Sequence, residues 1–197
     1  MSITIRCGDY SRFLGELANP LATNLLLYNF GRMFDLKPIS HKAIPFALAK
    51  VERYRLLSEP WQAESICLDV LRIEPNNQRA LTMLLLARTD QFGHGVPAAS
   101  AREILPSLES EYDRVYYAGI ICERWAESLL RQGAPGAGFM AYESLREAMD
   151  HYQKAETLRP AGNDDALLRW NTCARILMRN RELRPRGEEA FEPALDD

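Results

Sequence analysis

The stretch IPFALAKVERYRLLSEPWQAESICLDVLRIEP, residues 44 to 75, decides how this chain is read. Tyr54 falls late in a first apolar-periodic run, Ala63, Cys67 and Val70 recur at helical spacing in a second, and Pro75 closes it. Apolar residues three and four apart share one helix face. A proline just past a helix end cannot continue that helix. The spacing therefore predicts two antiparallel helices in contact, with the small Ala63 where they cross and Tyr54, Cys67 and Val70 on the face between them. Such a pair cannot bury its apolar face alone, so it needs stacked neighbours.

Those neighbours are visible in the chain. Ala148, Tyr152, Ala155 and Pro160 repeat the spacing of Ala63, Cys67, Val70 and Pro75, and a helix over 164 to 181 follows them. One period after Ile44, the residues Leu81, Leu84 and Leu85 occupy the apolar positions of a helix over about 78 to 91. Val115, Ala118, Gly119 and Cys122 do so for a helix over about 112 to 132, where the Ala118-Gly119 pair suits a close crossing. Pro106 interrupts the partner helix over about 98 to 111, because proline ends or kinks a helical run. The unit that starts at Tyr112 closes at Pro160, about 17 residues late, with Gly133, Pro135, Gly136 and Gly138 in between. That Gly/Pro cluster reads as an enlarged turn.

Over residues 42 to 181 the pattern resembles the tetratricopeptide repeat family, whose 34-residue unit has W-x2-L-G-x2-Y, A-x3-F and a closing Pro. Trp stands at the fourth repeat position in no copy and one copy keeps the Tyr. A neighbouring helical-hairpin solenoid family is the other reading. The resemblance implies an all-α solenoid of helical hairpins, a right-handed superhelix with a concave groove lined mainly by first helices. In that family certain first-helix positions face the groove, which here selects Glu52, Arg55, Arg79, Asp90, Asp113, Tyr116, Glu123, Arg124, Asn171 and Arg175. Chaperone-binding members hold a C-terminal carboxylate in a Lys/Asn clamp. Leu48 and Glu52 occupy the first clamp positions here, and Glu52 repels an anion, so that subclass is disfavoured. A mixed-charge groove suits a polar, partly extended segment of another protein.

Composition sets outer limits. With 47% hydrophobic and 26% charged residues the chain is ordinary for a globular protein. A net charge of −3 lacks the basic field that nucleic-acid binders show, so no nucleic-acid partner is expected. No stretch approaches the ~20 apolar residues that span a bilayer, and MSITIRCGDYSRF lacks the charged start and apolar run of a secretory signal. The expectation is a cytoplasmic protein without membrane insertion.

Chemistry-bearing residues are sparse. Cys7, Cys67, Cys122 and Cys173 form no C-x2-C pair, and three of them fall on packing positions, so reduced structural thiols and no metal site are expected. His41 precedes the first repeat helix, and His94 lies in the turn Phe92-Gly93-His94-Gly95. His151 shares a helix face with Glu147 four residues earlier, but two ligands do not make a site. No phosphate loop, G-x-S-x-G elbow or H-E-x-x-H occurs.

The flanks read differently. Residues 1 to 41 carry Leu21, Leu25, Leu26, Tyr28, Phe30, Met33 and Phe34, which suits a capping segment, or alternatively a docking helix, and Ile3, Thr4 and Ile5 are compatible with a short strand. Arg169, Arg175, Arg179, Arg181, Arg184 and Arg186 form a basic stretch, ahead of an acidic tail in a segment, 182 to 197, that reads as disordered. The expected function is a non-catalytic adaptor or assembly subunit without a cofactor, binding a protein or peptide through the concave groove. The alternative is an accessory subunit of an enzyme complex, or a small helical enzyme, that holds a cofactor or substrate. Association as a homo- or hetero-oligomer stays open.

Overall fold

A computed structural model of the protein describes residues 35–180 and 182–185. The chain divides into Met1–Pro38 and Ile39–Asp197, and the second part is described below. The apolar stretch at 21–34, the strand at 3–5, Cys7, Arg181, Arg186 and the acidic tail lie outside the described residues.

The described part of the protein is all-α. Its helices are α1 (Ile44–Leu56), α2 (Pro60–Ile73), α3 (Gln78–Thr89), α4 (Ala98–Arg102), α5 (Glu111–Gln132), α6 (Ala137–Leu158) and α7 (Asp165–Arg179), with 3-10 turns at His41–Ala43 and Leu105–Ser107. Among the described residues there is no strand. Proline opens α1 and α2 in the first turn, where its missing N–H costs nothing. Asn77 caps α3 by accepting the Ala80 N–H at 3.0 Å, and Ser110 caps α5 by accepting the Asp113 N–H at 3.2 Å. Gly133, at φ 62°, ends α5 in the left-handed conformation that glycine adopts without strain. After Arg102 the chain leaves the α-helix, and Pro106 sits in the 3-10 turn that follows.

The enlarged turn after α5 is not there. Helix α6 starts at Ala137, immediately after Gly136, so the connection is short. The surplus length lies in the helices: α5 and α6 have 22 residues each, whereas α1 and α2 have 13 and 14. Pro135 and the glycines punctuate the chain between two long helices and add no loop.

Helices pack mainly on their neighbours in sequence, α1 on α2, α2 on α3, α5 on α6 and α6 on α7, with further contacts from α1 to α3 and from α3 to α5. Ala63, Cys67 and Val70, and likewise Ala148, Tyr152 and Ala155, are 0% exposed, so both copies of the spacing lie on core faces. One apolar cluster joins α1, α2 and α3 with Phe92, Leu108 and Ile121. The other joins α5, α6 and α7 and includes Leu183, a buried residue inside the stretch that composition assigns to the tail. At Gly119 a Cβ would stand 2.6 Å from Cε1 of the Tyr152 ring, so only glycine admits that ring against α5.

Candidate functional site

The ends of α1 and α3 and the middle of α5 converge on one carboxylate. Asp90, which caps the C-terminus of α3, accepts Arg55 Nε at 2.7 Å and Arg55 Nη2 at 3.4 Å. It also accepts Arg124 Nη1, which is shared with Thr89 Oγ1 at 2.9 Å. The Thr89 hydroxyl donates to the Leu86 carbonyl at 2.8 Å, which leaves its lone pairs for Arg124. Charge-assisted bonds of this kind are the stronger ones and fix the orientation of both guanidinium groups.

One residue earlier on α5 stands a carboxylate of opposite fate. Successive helical residues are turned by about 100°, so Glu123 faces α6 and α7 while Arg124 faces α1 and α3. Glu123 is 1% exposed. It accepts the Tyr152 hydroxyl at 2.5 Å and Arg169 Nη1 at 3.1 Å. Burial, reinforced by the Glu123 charge, pushes the Tyr152 phenol far up, so this hydroxyl keeps its proton and acts as a donor.

These two clusters border an open cleft of about 660 Å³, lined by Arg55, Asp90, Arg124, Glu127, Arg131 and Arg169 together with Trp61 and His94. Burial, followed by the neighbouring Glu123, raises the Glu127 carboxyl above the usual range. The cleft is polar and cationic, with guanidinium groups from α1, α5 and α7 facing one space.

Of the groove residues selected by repeat position, Arg55, Asp90 and Arg124 meet at this cleft, and Glu123 lies buried behind it. Glu52 and Arg79 pair with each other at 2.6 Å, both about half exposed and away from the cleft lining. Tyr116 stacks on Tyr112 with ring centres 5.6 Å apart, and Asp113 lies in the first turn of α5, its carboxyl raised by burial. Asn171 borders a separate depression of about 310 Å³ with Trp170, Gln153 and Glu156. Arg175 is exposed and forms no ion pair among the described residues.

Repeat position missed Arg169, Arg131, Glu127, His94 and Trp61. The i,i+4 pair Glu127 and Arg131 was legible as a helix-face pair. Arg169 stood within the basic stretch, where nothing in the spacing marked it as the partner of Glu123.

A second group of donor atoms lies between α5 and α6. Cys122 is 1% exposed, and burial pushes its thiol up to about 11. Its Sγ, a Glu147 oxygen and a His151 ring nitrogen lie within 4.8 Å of one another. Cys67 and Cys173 are also buried, and burial pushes both thiols up to about 12, which fits inert packing thiols. Among the described helices none is long and apolar enough to cross a membrane. No protein-family model matches the chain, and no curated protein or solved structure matches it either.

Proposed function

We propose that the protein is a non-catalytic interaction module of the tetratricopeptide type, an adaptor or assembly subunit whose hairpins stack as a solenoid. Its cleft takes an acidic, partly extended segment of a partner protein. The observation that carries this reading is the convergence of Arg55, Arg124, Arg131 and Arg169 on one open space. Guanidinium groups present forked donors that match carboxylates. Asp90, Glu127 and the buried Glu123 offset three of these four charges, which leaves a positive surplus. The residual field steers and orients an acidic segment more than it anchors it, and apolar contact with the exposed Trp61 supplies part of the hold.

The test uses the full chain to capture a partner, whose contacting segment is then made as a peptide and titrated. His94→Glu combined with Arg131→Gln changes two exposed cleft positions without touching the ion pairs at Asp90 or Glu123 and without setting a new negative charge beside Glu127. Binding is expected to weaken about tenfold or more and to weaken with salt in the parent protein, at an unchanged melting temperature. A peptide that binds the variant as tightly as the parent, or a segment with no acidic residue, refutes the reading.

A further inference from the structure

Cys122 on α5 and Glu147 and His151 on α6 place one thiol, one carboxylate and one imidazole around a common point. From this juxtaposition we propose that the protein binds a divalent transition-metal ion of the zinc type between α5 and α6, held by these three side chains with a fourth position open.

Helix geometry supplies two of the donors. Glu147 and His151 are four residues apart, so they project from one face of α6, and Glu147 Oε1 stands 3.8 Å from His151 Nε2. Around a tetrahedral ion with bonds of about 2.0–2.3 Å, donors lie roughly 3.3–3.8 Å apart. That pair stands within a few tenths of an ångström of the spacing an oxygen and a nitrogen donor take. The third donor comes from α5, where Cys122 is fixed by burial, and the set closes from its 4.8 Å limit by side-chain rotation of about 1 Å. Glu147 and His151 can make that adjustment, because their side chains are 55% and 34% exposed. Their exposure also leaves the ion a path from solvent.

Charge balance favours the assembly. A divalent ion with a thiolate, a carboxylate and a neutral imidazole is neutral overall, which suits a half-buried position. On binding, the Cys122 S–H proton passes to solvent and the sulfur lone pair forms the metal bond. Arg102 Nη2 lies 3.8 Å from Cys122 Sγ. A neutral cluster does not repel this guanidinium, which then serves as a hydrogen-bond donor to the metal-bound sulfur, as outer-shell groups do in thiolate sites. The thiolate and imidazole select zinc or cobalt over magnesium and calcium, which prefer oxygen donors.

Cobalt(II) is the probe, because a thiolate bond to it produces a ligand-to-metal charge-transfer absorption. Chelator-stripped full-length protein is expected to take up one equivalent of cobalt with this absorption, and zinc should displace it. Cys122→Ser should abolish the band. Glu147→Gln and His151→Gln, both at accessible positions, should each weaken binding about tenfold or more with unchanged circular dichroism. If Cys122→Ser loses helicity, the two α6 variants decide. Absence of the band in the parent protein, its persistence in folded Cys122→Ser, or indifference to both α6 variants overturns the proposal.

Discussion

Around α1, α2 and α3 the fully buried side chains are mostly apolar, Val51, Cys67, Val70, Leu85 and Phe92 among them, and the polar ones, Thr89 and Gln91, carry no charge, whereas between α5, α6 and α7 burial encloses Tyr152 and the Glu123 carboxylate. Both regions contain ion pairs. In the first, Arg88 meets Glu64 at 3.0 Å with side chains 21% and 19% exposed; in the second, Arg169 meets a Glu123 that is 1% exposed. The difference teaches where each region is vulnerable. An apolar face tolerates loss in proportion to the volume removed, while a buried carboxylate has been stripped of water and depends on every partner it keeps.

The largest expected effect breaks that second arrangement. Glu123→Ala leaves the Tyr152 hydroxyl without its acceptor and Arg169 without its counter-ion, and should cost about 3–5 kcal/mol. Glu64→Ala in the first region should cost about 1–2 kcal/mol, since Gln91 Nε2 retains the Ala87 carbonyl at 3.0 Å. Urea midpoints at constant slope measure both. Replacing Glu123, Tyr152 and Arg169 together by Leu, Phe and Leu should recover most of the loss, because apolar groups carry no desolvation penalty. Equal losses for the two single variants would remove the distinction between the regions.

The same contrast explains what was legible in the sequence. Ala63, Cys67 and Val70 could be placed because apolar periodicity reports which face of a helix is buried. Ala148, Tyr152 and Ala155 followed by equal spacing. Glu123 was selected as a groove residue, yet it lies buried behind the cleft, since spacing assigns a face but not the partner that lets a charge enter it. Arg169 sits 46 positions away from it in the chain. The spacing gave α5 over nearly its full length, but the early start of α6 went unread, because Gly133, Pro135 and Gly136 signal a break without saying how soon the next helix begins. The meeting of Arg55, Asp90 and Arg124 needed helix crossings that local pattern does not encode.

Next in size come the close crossings, one in each region. Ala63 and Ala148 are both 0% exposed, and Leu at either should overpack the contact and cost about 1–3 kcal/mol. Gly119→Ala belongs with them, despite alanine's better helix propensity, because its Cβ meets the Tyr152 ring at 2.6 Å. A parental melting temperature for Ala148→Leu but not for Ala63→Leu would mean that the second region repacks where the first cannot.

Helix caps should behave alike in the two regions. Asn77→Ala and Ser110→Ala each remove an oxygen that accepts a first-turn N–H, and each should cost about 1 kcal/mol. A larger loss at Asn77 would trace to its second bond, in which Nδ2 donates to Glu74 Oε2 at 2.7 Å.

The smallest effects have opposite signs, and pH separates them. In the second region the Glu127 carboxyl is raised, first by burial and then by Glu123. The folded protein therefore holds that proton more tightly than the unfolded chain does, so ionisation costs stability above the folded pKa and nothing below the ordinary one, near ~4.3. Glu127→Gln should stabilise at neutral pH, by well under ~1 kcal/mol because 42% of the side chain is exposed and screened, and the weak 3.8 Å pairing with Arg131 opposes the gain. The advantage should vanish as pH falls through the folded pKa. In the first region the Glu74 carboxyl is lowered, first by the Asn77 hydrogen bond and then by His41. Its stabilisation is present above the ordinary carboxylate pKa and is lost as pH falls through the lower folded one, so Glu74→Gln should destabilise at neutral pH and lose that penalty in acid. Urea midpoints at about pH 7 and at a pH below both folded values resolve the pair. A Glu127→Gln protein less stable than its parent at neutral pH would show that attraction to Arg124 and Arg131 outweighs burial. The cleft would then be better matched to its own carboxylates than to those of an incoming acidic segment.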